Sequence, residues 1–165
     1  MFVEPPCCWF SQLLRINWKR MPVDTRERGI AAAVRLFEFG LLLAHVQLKN
    51  GRAVVLEHPL TSSAWRHPRI QQLRAAHPEL QFADFDFCMF GMVTKVARTP
   101  VKKPIRLMTN VPQILDRFRD VRCDGNHDHE ACWGVEGGEK RSQFAQIYPP
   151  EFCACLANCC ASFVA

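Results

Sequence analysis

Apolar and polar positions alternate along this chain with two different periods. From Pro22 to Gly51, PVDTRERGIAAAVRLFEFGLLLAHVQLKNG reads as one long helix. Ile30, Val34, Phe37, Leu41 and Leu42 recur at helical spacing, which predicts one face packed on a core. Asp24 or Thr25 caps its start, and Asn50-Gly51 ends it. RAVVLEHP follows at once. Its Ala53–Leu56 run is continuously apolar and β-branched in the middle, the pattern of a strand buried on both faces of a parallel sheet. LQFADFDFCMFG alternates and is a second strand candidate, and IRLMT is a third. TSSAWRHPRIQQLRAAHP predicts a short capped helix, PQILDRF another, and YPPEFCACLANCCASF a last one that tolerates Pro149 and Pro150 in its first turn. Residues 1–6 predict the end of a short strand stopped by Pro5-Pro6, and the text from Cys123 to about Arg141 reads as loop. Strands alternating with helices imply an α/β sheet with helical crossovers.

Composition narrows the class. At 165 residues the chain fits one domain over 1–165, and 48% hydrophobic with 22% charged residues is globular and not disordered. A formal charge of +5 permits an anionic partner without demanding one. Glu4, Pro5 and Pro6 interrupt any signal-like apolar run, and LFEFGLLLAHV carries Glu38 and His45, so no membrane span is expected. Nine cysteines without a secretory signal point to reduced thiols or metal ligands. The expectation is a soluble intracellular domain, cytoplasmic or nuclear.

Two constellations carry chemistry. Cys7 lies just past the first strand and Glu57 just past the RAVVL strand. Ligands of parallel α/β sheets bind at the carboxyl ends of strands, so a thiol and a carboxylate fifty positions apart can face one cleft. A thiolate is a nucleophile where local positive charge lowers its pKa, and a neighbouring carboxyl can hold or supply a proton. The alternative is a Pro-Pro-Cys turn with a buried thiol. The second constellation is RCDGNHDHEACWG, within a Cys/His loop at 121–141. Cys123, His127, His129 and Cys132 are four soft or borderline donors within ten positions, which suits a tetrahedral zinc site. The alternative there is a polar surface loop with Cys132 and Trp133 tucked inward. A basic loop holds Lys95, Arg98, Lys102, Lys103 and Arg106 with no acid among them, and Arg15, Lys19 and Arg20 follow the Pro-Cys stretch. Either group suits nucleic-acid phosphates or a solvated surface. Cys153, Cys155, Cys159 and Cys160 fall on a helix whose stripe of Phe152, Leu156, Cys159, Cys160 and Phe163 reads as a buried face.

The ordered series of motifs resembles the catalytic half of the cytosine-5 DNA methyltransferases. PPCCWFSQL looks like that family's Pro-Cys-Gln-x-Phe-Ser, LEHP stands where it has Glu-Asn-Val, and FCMFG with VKKPIRLMTN is similar to its Tyr-Gly-x-Pro-Gln-x-Arg-x-Arg. QIYPPEFCACLA resembles its Asn-x-Val-Pro-Pro. The spellings Leu-Glu-His-Pro, Phe-Cys-x-Phe-Gly, Lys-Lys-Pro and Cys-Asp-Gly-x-His-x-His look closest to methyltransferase-like segments of retroelement polyproteins. The resemblance implies a partial doubly wound, Rossmann-like sheet that lacks its N-terminal cofactor-binding strands. It implies Cys7 as the nucleophile on a flipped cytosine, Glu57 on the ring nitrogen and Arg106 on the carbonyl. Departures accompany it: Cys8 replaces a glutamine, His58 an asparagine, and the Gly-rich turn that cradles S-adenosylmethionine is absent. The expectation is therefore a truncated domain, inactive alone, that uses S-adenosylmethionine only if completed. Beside it stands a non-enzymatic, zinc-stabilised module that contacts nucleic acid or a partner chain. A gene fragment without selected function is the third reading.

Overall fold

The computed structural model describes every residue except Leu13 and Ala165, and the side chains of Arg15 and Val164 also lie outside the described residues. The fold is mixed α/β. Its strands are β1 (Phe2–Val3), β2 (Val55–Pro59), β3 (Gln81–Asp86) and β4 (Pro104–Thr109), in the sheet order β1-β2-β4-β3. A separate two-stranded ribbon pairs β5 (Val135–Glu136) with β6 (Glu139–Lys140). The helices are α1 (Leu14–Asn17), α2 (Val23–Lys49), α3 (Pro68–Ala76), α4 (Pro112–Phe118), α5 (Arg141–Phe144) and α6 (Pro150–Val164). Two compact units divide the chain: residues 1–82 with 106–110, and residues 83–105 with 111–165.

In the first unit, α2 is the crossover between β1 and β2, which pair in parallel with Val3 opposite Leu56. The helix buries Ala33, Phe37, Leu41, Ala44 and Leu48. That stripe has helical period, yet it lies to one side of the face expected from the sequence, because Ile30 and Leu42 are exposed. Small residues decide the difference. A Cβ added at Gly40 would come 2.9 Å from Val3 Cγ1, so this face is the one that admits β1. Leu36, Phe39, Leu42, Leu43 and Val46 are left on the outside. By length and composition alone, α2 would suffice to cross a membrane, a test that core helices also pass.

The strand expected at Ala53–Leu56 begins later and runs on through Glu57 and His58. Residues 52–54 are captured instead by side chains. Asn110 donates to Arg52 O (3.1 Å) and accepts the Val54 N–H (2.8 Å), and the Thr109 hydroxyl donates to Val54 O (2.7 Å). Ladder pairing resumes only at Val55, whose N–H donates to Met1 O (2.9 Å). Val3, Phe10, Phe37, Leu56, Trp65 and Ile70 form the centre of this unit's core.

The second unit is built on aromatic side chains. Phe85, Phe87, Phe90, Phe118 and Phe152 are each at most 1% exposed, and their rings meet at centroid distances of 5.1–6.2 Å, mostly tilted or edge-to-face. Phe118 comes from α4 and Phe152 from α6, and both helices start with proline at their first position, where the missing N–H costs nothing. This packing positions the end of β3 and the segment that follows it.

Candidate metal centre

Asp86, the last residue of β3, is fully buried. Its N–H donates to Val121 O (3.1 Å), and its Oδ2 accepts the N–H of Cys123 (2.9 Å) and lies 3.4 Å from Arg122 Nε. A buried carboxylate is costly unless it is bonded in this way, so strand end and loop are fastened together. The chain leaves Asp86 in a short 3-10 turn, Phe87–Phe90, closed by Gly91 at φ +76°. Phe87 and Phe90 enter the aromatic core, while Cys88 between them stays half-exposed beside the loop.

The loop turns tightly after Cys123. Asp124 Oδ1 accepts the Asn126 N–H (3.0 Å), its Oδ2 accepts from Asn126 Nδ2 (2.8 Å), and Gly125 stands at φ +80°. The first of these bonds holds the Asp124 carboxyl below its ordinary pKa. The Gly125 N–H points at Cys123 Sγ (3.4 Å). This turn carries His127 and His129 back onto the thiol: their Nε2 atoms lie 3.7 Å and 3.3 Å from Cys123 Sγ, with ring centroids 4.4 Å apart. One donor atom each from Cys88, Cys123, His127 and His129 falls within 4.8 Å of all the others. Zinc–sulfur bonds of about 2.3 Å and zinc–nitrogen bonds of about 2.0–2.1 Å put tetrahedral donors roughly 3.3–3.8 Å apart. A cluster of this size closes on such an ion with small movements. Two thiols and two imidazoles also form a donor set that zinc prefers.

The Cys88 thiol is pushed up to about 12 by its burial, by the hydrogen bond and charge of Cys123, and by Asp86, against a smaller pull from Lys102. A metal ion would supply the missing positive charge.

Three of the four donors expected from sequence are thus brought together, and the fourth is a correction. Cys132 is not in the cluster, since its Sγ lies 3.8 Å from Lys102 O. The backbone explains this. Glu130 N–H donates to Pro100 O (2.9 Å), the Glu130 carboxylate pairs with Arg141, and Arg141 Nη1 reaches Ala131 O (3.4 Å), so residues 130–132 are drawn to another segment. Cys88, 35 positions before Cys123, takes the place. Sequence reasoning looked for all donors inside one loop. The overlooked signal was a cysteine in the FCMFG turn at a strand end.

The other expected site residues lie in the first unit. Cys7 caps a 3-10 turn, Cys8–Phe10, and its carbonyl accepts the Phe10 N–H (3.0 Å). Glu57 sits inside β2, not past it, and is 4% exposed. Cys7 follows β1 by four residues, Glu57 is at the centre of the neighbouring parallel strand, and Phe10 packs edge-to-face on His58 (5.6 Å). Arg106 lies over the rings of Phe82 (4.7 Å) and Trp65 (6.0 Å). Much of the basic loop is committed internally. Lys95 pairs with Glu139 (2.9 Å), and Lys103 donates to Ala145 O (2.9 Å), while Arg98 and Lys102 are exposed. Among the described residues no glycine-rich turn joins a strand to a helix N-terminus: the six positive-φ glycines follow α2, close the turn at Gly91 or lie in the loop from Gly125 to Gly138. The described residues therefore do not fit S-adenosylmethionine in the way the resemblance implies.

Protein-family models, curated proteins and solved structures were each compared with the chain, and none matches it.

Proposed function

We propose that this chain is a non-enzymatic binding module of methyltransferase-like descent, stabilised by zinc held between Cys88, Cys123, His127 and His129. The observation that carries this reading is the convergence of four half-buried soft donors from two separated segments within 4.8 Å. Such a cluster uses no open coordination position, which is the arrangement of a structural and not a catalytic ion. The ion fastens the strand end of β3 to the loop that follows α4. Its partner is nucleic acid or a second chain of a retroelement-type polyprotein, met in solution inside the cell, and exposed Arg98 and Lys102 of the basic loop would face it. The test is metal analysis of the purified protein, followed by a chelator and a thermal melt. One equivalent of zinc, with a melting point that falls on chelation, is expected. A metal-free protein that melts identically with and without added zinc overturns the reading.

A second reading rests on a separate observation. β1 and β2 are parallel neighbours joined by a helical crossover, with Cys7 in the turn after β1 and Glu57 buried within β2. This supports a doubly wound, Rossmann-like ancestry and the residue roles of a cytosine-5 DNA methyltransferase, with Cys7 as nucleophile, Glu57 on the ring nitrogen and Arg106 on the carbonyl. Covalent trapping of Cys7 by DNA carrying a mechanism-based cytosine analogue decides between the two. Trapping favours the enzymatic half, and zinc with binding but no trapping favours the module.

A further inference from the structure

A second concave site lies in the first unit, and its chemistry owes nothing to the metal centre. It is a cavity of about 390 Å³ whose lining includes Trp9, Trp18, Lys19, Thr61, Ser63 and Arg66. No carboxylate is among its described lining residues. Neither Cys7 nor Glu57 lines it.

Both indoles are held in place before any ligand arrives. Trp9 is seated on α2 at Gly29, where an added Cβ would stand 1.9 Å from Trp9 Cζ2, so only glycine allows the ring this close. Arg26 lies over Trp18 at 4.9 Å and donates to its carbonyl (3.3 Å). Ser63 is fixed by donating to Phe10 O (3.2 Å), which ties it to the turn that carries Trp9. Lys19 and Arg66 are exposed, and Lys19 and Trp18 share one short 3-10 turn. Rigid indoles offer a face for stacking at low entropic cost, and exposed cations lining a cavity with no carboxylate among its described lining residues favour an anion.

We infer that this cavity binds a nucleoside phosphate, with its base against the indoles of Trp9 and Trp18 and its phosphate on Lys19 and Arg66. The two halves of the site discriminate together. A phosphate alone has no use for the indoles, and an uncharged base leaves two cations without a counter-charge. The same chemistry is presented by a free nucleotide and by a single-stranded nucleic acid.

The test titrates the 15N-labelled full chain with AMP, adenosine, inorganic phosphate and a short oligoadenylate, and follows the four tryptophan indole signals separately. AMP is expected to shift the signals of Trp9 and Trp18 and to leave those of buried Trp65, and of Trp133 in the second unit, in place. Adenosine and phosphate each bind at least tenfold more weakly than AMP. The double variant Lys19→Ala with Arg66→Ala weakens AMP at least tenfold while the zinc content and melting point stay as in the parent chain. Oligoadenylate binding more than tenfold tighter than AMP, with a steeper salt dependence, identifies a single strand as the natural ligand; comparable affinity identifies a mononucleotide. Indole signals unmoved at millimolar AMP overturn the inference. So does an unchanged affinity in the double variant, or salt-independent binding of AMP to the parent chain, which needs no variant at all.

Discussion

Replacing Cys88 by serine should release the metal, and replacing Cys132 by serine should not. Sequence spacing points to Cys132 as the partner of Cys123, His127 and His129, but among the described residues it is Cys88 that comes within 4.8 Å of all three donor atoms. Structural zinc binding is worth about 10–16 kcal/mol in small domains, so one of four donors carries roughly 3–4 kcal/mol. That corresponds to a zinc Kd raised by about two to three orders of magnitude in Cys88→Ser. The same loss appears in stability, because an ion that binds only the folded chain stabilises it by RT ln(1 + [L]/Kd). Competition against a chromophoric chelator gives the Kd, and a melt at fixed free zinc gives the stability. Cys132→Ser keeps the parent Kd within a factor of about three, since its thiol is not among the clustered donors and contacts the Lys102 carbonyl instead. The reasoning fails if Cys132→Ser loses the ion while Cys88→Ser retains it.

Three further expectations follow from particular contacts. Asp86→Ala removes the acceptor that holds the Cys123 N–H, and zinc affinity should fall about 10–100-fold by the same chelator competition, although Asp86 itself is not a donor. Phe118→Ala opens a void among Phe85, Phe90 and Phe152, whose rings lie 5.2–5.5 Å from it, and should cost about 3–5 kcal/mol in a denaturant titration. Glu136 accepts the N–H groups of Ala97 and Lys95 (3.0 Å each), the first of which contributes most to holding its pKa below 4.5. Its folded value is depressed, so the contribution to loop order is present above about pH 4.5 and disappears as pH falls through the folded value. The amide shifts of Lys95 and Ala97 should therefore titrate together with a midpoint below 4.5, and not move in Glu136→Gln.

Much of the architecture was legible because its signals were local. The helix over 23–49, the strands at 81–86 and 104–109, and the proline-led α4 and α6 follow from period, capping and proline chemistry. What was missed depended on contacts from elsewhere in the chain. Nothing in RAVVL says that Asn110 and Thr109 will capture residues 52–54 and delay the strand. The apolar residues of α2 surround much of its circumference, so periodicity alone could not choose Phe37 and Leu41 over Leu42; the small side of Gly40 and Ala44 chose. At the candidate site the Cys-x3-His-x-His core was legible, since a Cys-Asp-Gly-Asn turn returns two imidazoles to one thiol. The remaining donor was not, because it is delivered by packing of Phe87 and Phe90 and not by spacing.

The sequence separation of Cys88 from Cys123 has a topological consequence. An ion held by both thiols is a cross-link that closes a loop of 35 positions containing all of β4 and α4. Treated as a chain-entropy constraint, closure of such a loop removes about 4 kcal/mol of freedom from the unfolded ensemble. A ring of this kind also sets an order of events. Closing the 35-position loop costs more chain entropy than bringing together donors within 123–129, so Cys88 is expected to join an ion after the three local donors. The last coordination bond to form would then act as a latch that reports completed folding of the second unit.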